Sequence, residues 1–68
     1  MNFFGKQIRK ERSKANMTLE DVAKKSNINE DVLWEIEQGV LFPNLRQLIV
    51  LARVFGKHIG YFFIKLLR

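Results

Sequence analysis

The sequence predicts an all-α fold of five short helices. Apolar residues recur three and four positions apart, which is the helix period. No Asn-Gly or Asp-Gly hairpin signal occurs. The one proline, Pro43, and two of the four glycines, Gly39 and Gly56, fall between the periodic segments.

The first helix is read from about Phe4 to Lys14. Phe4, Ile8 and Ala15 mark its inner face, and Lys6, Arg9, Lys10 and Lys14 lie largely outside. The second begins after Thr18, a good N-cap, with Asp21 three residues on as a weaker form of the capping box. Leu19, Val22 and Ala23 supply its apolar stripe. Ser26-Asn27-Ile28 breaks it, since Asn27 tolerates the left-handed conformation of a tight turn. Asn29 caps the third helix, and Glu30 and Asp31 fall in its first turn, where the helix dipole favours negative charge. Leu33 and Ile36 face inward with Val32 beside them, and Gly39 ends the helix as a C′ residue. Val40 to Pro43 forms a loop. Asn44 caps a fourth helix that runs to about Phe55 and is stopped by Gly56. A fifth, from about 59 to 67, is apolar nearly all round, and His58 borders it. Helices this short are held by packing rather than by propensity.

The chain of 68 residues allows a single domain spanning 1–68. A domain of this size buries only about 60% of the surface its unfolded chain exposes, so oligomerisation is the expected supplement. With no cysteine and a single histidine, disulfides, thiolate zinc sites and histidine metal sites are excluded. No metal or other cofactor is expected. Catalysis is not expected either: no Gly-rich phosphate loop occurs, and Ser13 and Ser26 lack a base at a sensible spacing. No apolar run approaches the roughly 20 residues of a membrane span. The N-terminus lacks the order of a secretory signal. A cytoplasmic protein without membrane contact is the expectation.

Twelve Lys and Arg against seven Asp and Glu give a net charge of +5, which suggests a polyanion partner. That charge is unevenly spread. Residues 1–16 carry +4, residues 17–42 carry −4 and residues 43–68 carry +5.

Two short helices joined by a three-residue turn, with a small residue in the first and Asn in the turn, match the helix-turn-helix plan. The run Thr18-Leu19-Glu20-Asp21-Val22-Ala23-Lys24-Lys25-Ser26-Asn27-Ile28-Asn29 continues with Leu33, Ile36, Glu37 and Gly39. Then come Pro43-Asn44-Leu45, Leu48 and Leu51-Ala52. This pattern resembles the family of lambda repressor, Cro and the XRE-type regulators over roughly residues 5 to 63. Ala23 is small where the two helices cross, and Ile28, Leu33 and Ile36 pack beneath the turn. Arg12 and Glu37 stand where family members often form an ion pair.

The resemblance implies a transcriptional regulator that binds operator DNA, with the third helix in the major groove. By position, Asn29, Glu30, Asp31, Trp34, Glu35 and Gln38 face the duplex, and Thr18 and Leu19 approach its backbone. Phosphate contacts then fall to Lys24, Lys25, Lys6, Lys10 and Arg46, because DNA affinity comes largely from Lys and Arg neutralising phosphates. A homodimer through the last two helices is expected, with Val50, Val54, Tyr61, Phe62, Phe63, Leu66 and Leu67 at its seam. A two-fold dimer places its recognition helices about 34 Å apart. The reading face, however, holds three acids and a tryptophan. A second reading therefore stands beside the first: a helix-turn-helix fold used as a protein-binding module, docking through Trp34 and Val40–Phe42. Phe42 folded into the core, with Trp34 covering it, is the plainer account of those two rings.

Overall fold

The computed structural model describes residues 3–58 and 60–62. Four helices follow one another: α1 (Phe3–Lys14), α2 (Leu19–Ser26), α3 (Glu30–Glu37) and α4 (Leu45–Val54). A helical turn at 60–62 is the described part of the expected fifth helix. Among the described residues there is no strand.

The helix starts are chemically explicit. The Thr18 hydroxyl accepts from the Asp21 amide at 3.0 Å, and the Asp21 carboxylate accepts from the Thr18 amide at 2.9 Å. The bond from the Thr18 amide, with the Thr18 hydroxyl beside it, holds the Asp21 carboxyl below the usual carboxylate range. Asn44 and Gln47 form the same reciprocal pair at the head of α4, at 2.8 and 2.9 Å. At α3 the Asn29 side chain accepts from the amides of Asp31 and Val32.

The helix ends share one device. At the end of α1 the Met17 amide reaches back to the Arg12 carbonyl and the Asn16 amide to the Ser13 carbonyl. This is the Schellman pattern, in which the C′ residue is left-handed. Asn16 is that residue, at φ 55°. Gly39 and Gly56 repeat it after α3 and α4, at φ 80° and 70°. The turn between α2 and α3 is made by Asn27, at φ 60°.

The helices meet as α1 on α3, α2 on α3 and α2 on α4. Their shared core is Phe4, Ile8, Val22, Leu33, Ile36, Leu48, Leu51, Ala52 and Phe62. Met17, Leu19, Ala23, Ile28, Val32, Phe55 and Tyr61 pack around it, partly buried. Gly5 lets α1 approach α3 closely: a Cβ there would run into the backbone carbonyl of Ile36.

Polar groups fix α1 in place. Arg12 Nε donates to Glu37 Oε2 at 2.7 Å and Nη2 to Oε1 at 3.0 Å, while Nη1 donates to the Met17 carbonyl at 3.0 Å. The Glu37 side chain is 3% exposed. On the other flank of α1, the Tyr61 hydroxyl donates to the buried Glu11 at 2.6 Å. Lys57 Nζ lies 4.9 Å from the centre of the Tyr61 ring.

Three expectations need correction. Ala15 is exposed, because the Schellman turn lifts it out of the helix before it reaches the core. Phe62 is fully buried in the core of the single chain, in edge-on contact with Tyr61, so it has no surface to give a dimer seam. Phe42 is 65% exposed, and its ring leans on Phe4 with centroids 5.6 Å apart. Phe63, Leu66 and Leu67 lie outside the described residues.

Arg12→Leu strands a buried carboxylate, which costs about 3–5 kcal/mol. The thermal midpoint of unfolding should fall by on the order of 10 °C or more. The double variant Arg12→Leu with Glu37→Leu should recover most of that loss, and a double variant no better than the single one refutes the account.

Tyr61 gives a pH prediction. Its hydrogen bond to Glu11, then burial and the Glu11 charge, raise its pKa above the ordinary tyrosine value of 10.0. A pKa raised on folding contributes stability that is complete below the unfolded value and is lost as pH rises through the folded one. Denaturant melts of wild type and Tyr61→Phe should therefore differ by a constant amount below about pH 10, and the gap should narrow above it. A gap independent of pH through that range contradicts the assignment.

Candidate nucleic-acid interface

The helix-turn-helix is the segment from Thr18 to Gln38. Its turn is held from inside: the Ser26 hydroxyl, itself buried, accepts from the Ile28 amide at 3.2 Å. Leu33 and Ile36 are fully buried and Ile28 and Ala23 partly so. With Glu37 fixed to Arg12, the roll of α3 about its own axis is set from below. The side turned away from the core then presents Glu30, Asp31, Trp34 and Gln38, all exposed, with Glu35 at its edge and Asn29 at its head. Trp34 is 51% exposed.

This surface carries no cation of its own. Glu30, Asp31 and Glu35 have no ion-pair partner among the described residues, so the face is negative. Leu19 does not stand out toward a backbone; it is partly buried against the core. Thr18 is exposed, with its hydroxyl engaged in the capping box.

Two groups of cations lie outside the α3 face. Lys24 and Lys25 are exposed on α2 and line a depression of 340 Å³ with Ala15, Met17 and Asp21. Lys24 is shared with Glu20 at 3.5 Å. Arg46 lies in a groove of 470 Å³ between the turn and the head of α4, with Asn29, Asn44, Gln47 and Val50 in its wall. This groove joins the head of α3 to a cation.

Lys6 and Lys10 are placed differently from the expectation. Gly5 and Arg12 mark the side of α1 that meets α3. At 100° per residue, Lys6 and Lys10 lie about 100° and 140° round the helix from Gly5. Both are exposed on the side of α1 turned away from α3. The structure does not join them to the α3 surface.

An apolar surface accompanies the site and was only partly read from sequence. Val40 is 71% exposed and Leu45 60%. Leu41, Phe42 and Ile49 are also exposed. Leu45 and Ile49 lie four apart on one side of α4, the same spacing as that of core residues, so the sequence pattern does not mark them as exposed. Val50, Val54 and Tyr61 are half-buried.

Comparison with known proteins agrees with this geometry. The family described as "Helix-turn-helix domain" matches residues 4–57, from the first turn of α1 to just beyond the Gly56 turn. A protein of Archaeoglobus fulgidus named an uncharacterized HTH-type transcriptional regulator is 38% identical over 58 residues, which is 85% of this chain and 83% of that protein. With the capped turn, the Arg12–Glu37 tie and the all-helical order already in place, the chain belongs to the XRE-type helix-turn-helix family, that of lambda repressor and Cro.

Proposed function

We propose that the chain is a DNA-binding transcriptional regulator that places α3 in the major groove of operator DNA. The observation that carries the reading is the rigid presentation of α3: capped by Asn29, plugged by Leu33 and Ile36, and locked through Glu37. Gln38 supplies a whole amide, which suits an adenine edge, and Glu30, Asp31 or Glu35 can accept from cytosine N4; Asn29, its oxygen held by the cap, keeps its Nδ2 donor for the duplex. In this reading Thr18, Lys24, Lys25 and Arg46 serve the phosphates. Leu19 supports the face from within. The reading involves no catalysis and puts the chain in the cytoplasm, with the DNA. No helix among the described residues is long and apolar enough to cross a membrane.

We also propose that the chain acts as a homodimer. Val50, Val54 and Tyr61 offer half-buried apolar area, and the exposed Leu45 and Ile49 widen it. A two-fold pair is the commonest closed assembly.

The acidic, aromatic character of the face favours a second reading, in which Trp34 and Val40–Phe42 dock a basic protein surface, because buried aromatics dominate interface energetics.

Selection of bound duplexes from random DNA at low salt should enrich a short half-site, and Trp34→Ala with Gln38→Ala should abolish the enrichment. Wild-type affinity for the enriched duplex should fall steeply with salt. No enrichment from the wild-type protein refutes the operator reading and leaves the docking one. The dimer has its own check: light scattering should give twice the chain mass for wild type, and Ile49→Lys with Val54→Lys should reduce it to the single chain. A wild type that is monomeric throughout the micromolar range contradicts the dimer.

A further inference from the structure

We propose that the outer side of α1 is a separate, sequence-independent surface for the phosphate backbone of duplex DNA, distinct from α3. Lys6, Lys10 and Lys14 fall at i, i+4 and i+8 of one 12-residue helix. They make a stripe about 12 Å long at 1.5 Å per residue. Arg9 and Ser13 lie alongside the lysines, about 40° and 80° round from Gly5, and all five residues are exposed. Along one strand, phosphates recur about every 3.4 Å of helix axis, so the stripe spans three or four of them.

The acid that this segment contains does not weaken the stripe. Among residues 1–16 the one acid is Glu11. Its side chain is 4% exposed and accepts from Tyr61, leaving a long 3.9 Å contact to Lys14. The fifth base of the segment, Arg12, is withdrawn to Glu37 and the Met17 carbonyl. Folding thus sorts the charges. The acid goes inward, the spare base is neutralised, and four cations remain on one open side. A groove of 700 Å³ runs along them, lined by Lys6, Gln7, Arg9, Lys10, Ser13 and Lys14.

The orientation makes this surface independent of the helix-turn-helix. Lys14 lies about 180° round α1 from Gly5, the point of contact with α3. A duplex held on this stripe is not thereby brought to Trp34. The face around Trp34 is acidic and repels phosphates, whereas the α1 stripe attracts them. The inference does not depend on the operator reading: that reading concerns sequence preference, and this one concerns affinity for any duplex.

The test is binding of the full chain to a fluorescent duplex of arbitrary sequence between 50 and 200 mM salt. Lys6→Gln with Lys10→Gln and Lys14→Gln should lower the slope of log affinity on log salt by about 2–3, as expected for three lost phosphate contacts. Affinity at 50 mM should fall at least tenfold. The same three positions changed to Arg should keep the wild-type slope. If the triple Gln variant shows lost helical circular dichroism, the pair Lys6→Gln with Lys10→Gln decides, with a slope reduced by about 2. An unchanged slope in a folded Gln variant overturns the proposal. So does a Gln variant that keeps duplex binding and loses binding to vesicles of anionic phospholipid, since the stripe then serves a membrane surface. A wild type that binds arbitrary duplexes with this slope yet enriches no half-site supports the α1 surface while refuting the operator reading.

Discussion

The contact between Arg12 and Glu37 organises this molecule. Glu37 is the last residue of α3 and is buried. A buried carboxylate is tolerable when its charge is matched and both oxygens are bonded. Arg12 does both with a planar fork that lysine lacks. The third donor of that fork takes the Met17 carbonyl, just before the Thr18 cap. One side chain thereby joins the end of α1, the approach to α2 and the end of α3. Gly5 is the apolar counterpart, letting α1 rest on the α3 carbonyls two turns away. The face of α3 that points outward is set by these two contacts from the opposite side.

How much of the fold was legible depends on the range of each interaction. Thr18, Asn29, Asn44, Gly39 and Gly56 were readable because caps and turns are made by residues within a few positions of one another. Asn16 uses the same chemistry as Gly39, but no gap in the apolar pattern marks it. The Gln47 half of the Asn44 capping box is less legible, because Gln at that position is equally an ordinary helical residue. Ala15 and Phe62 were misread because periodicity gives the face of a helix and not where the helix stops or what lies beneath it. Glu11 was invisible as a buried acid: its partner, Tyr61, is 50 positions away.

The site was legible in kind and not in detail. The sequence spacing locates the outward residues of α3, since Leu33, Ile36 and Glu37 occupy the inward side. The charge division between segments was equally plain from the sequence. What it left open was direction. Lys6 and Lys10 count toward the same net charge as Lys24, Lys25 and Arg46, but a sum over residues has no geometry. Leu19, placed by position beside the DNA backbone, supports the face from the core side in the structure.

The segregation of charge has consequences for how the domain meets a polyanion. At physiological salt, fields between exposed charges decay over about 8 Å, while the domain measures 30 × 25 × 21 Å. A phosphate backbone therefore senses one side of the molecule at a time, and the net +5 does not describe any single approach. An approach toward α1 is attractive. An approach toward α3 meets Glu30, Asp31 and Glu35 and gains attraction only where Lys24, Lys25 or Arg46 come within that distance. Close contact by α3 therefore has to recover the repulsion through bonds that depend on the bases present. Under the proposed operator reading, a surface of that kind gives up non-specific affinity in exchange for discrimination, because a wrong base leaves both the acid and its repulsion uncompensated. Lowering the salt extends the reach of both sides, so it strengthens the attraction at α1 and the repulsion at α3 together.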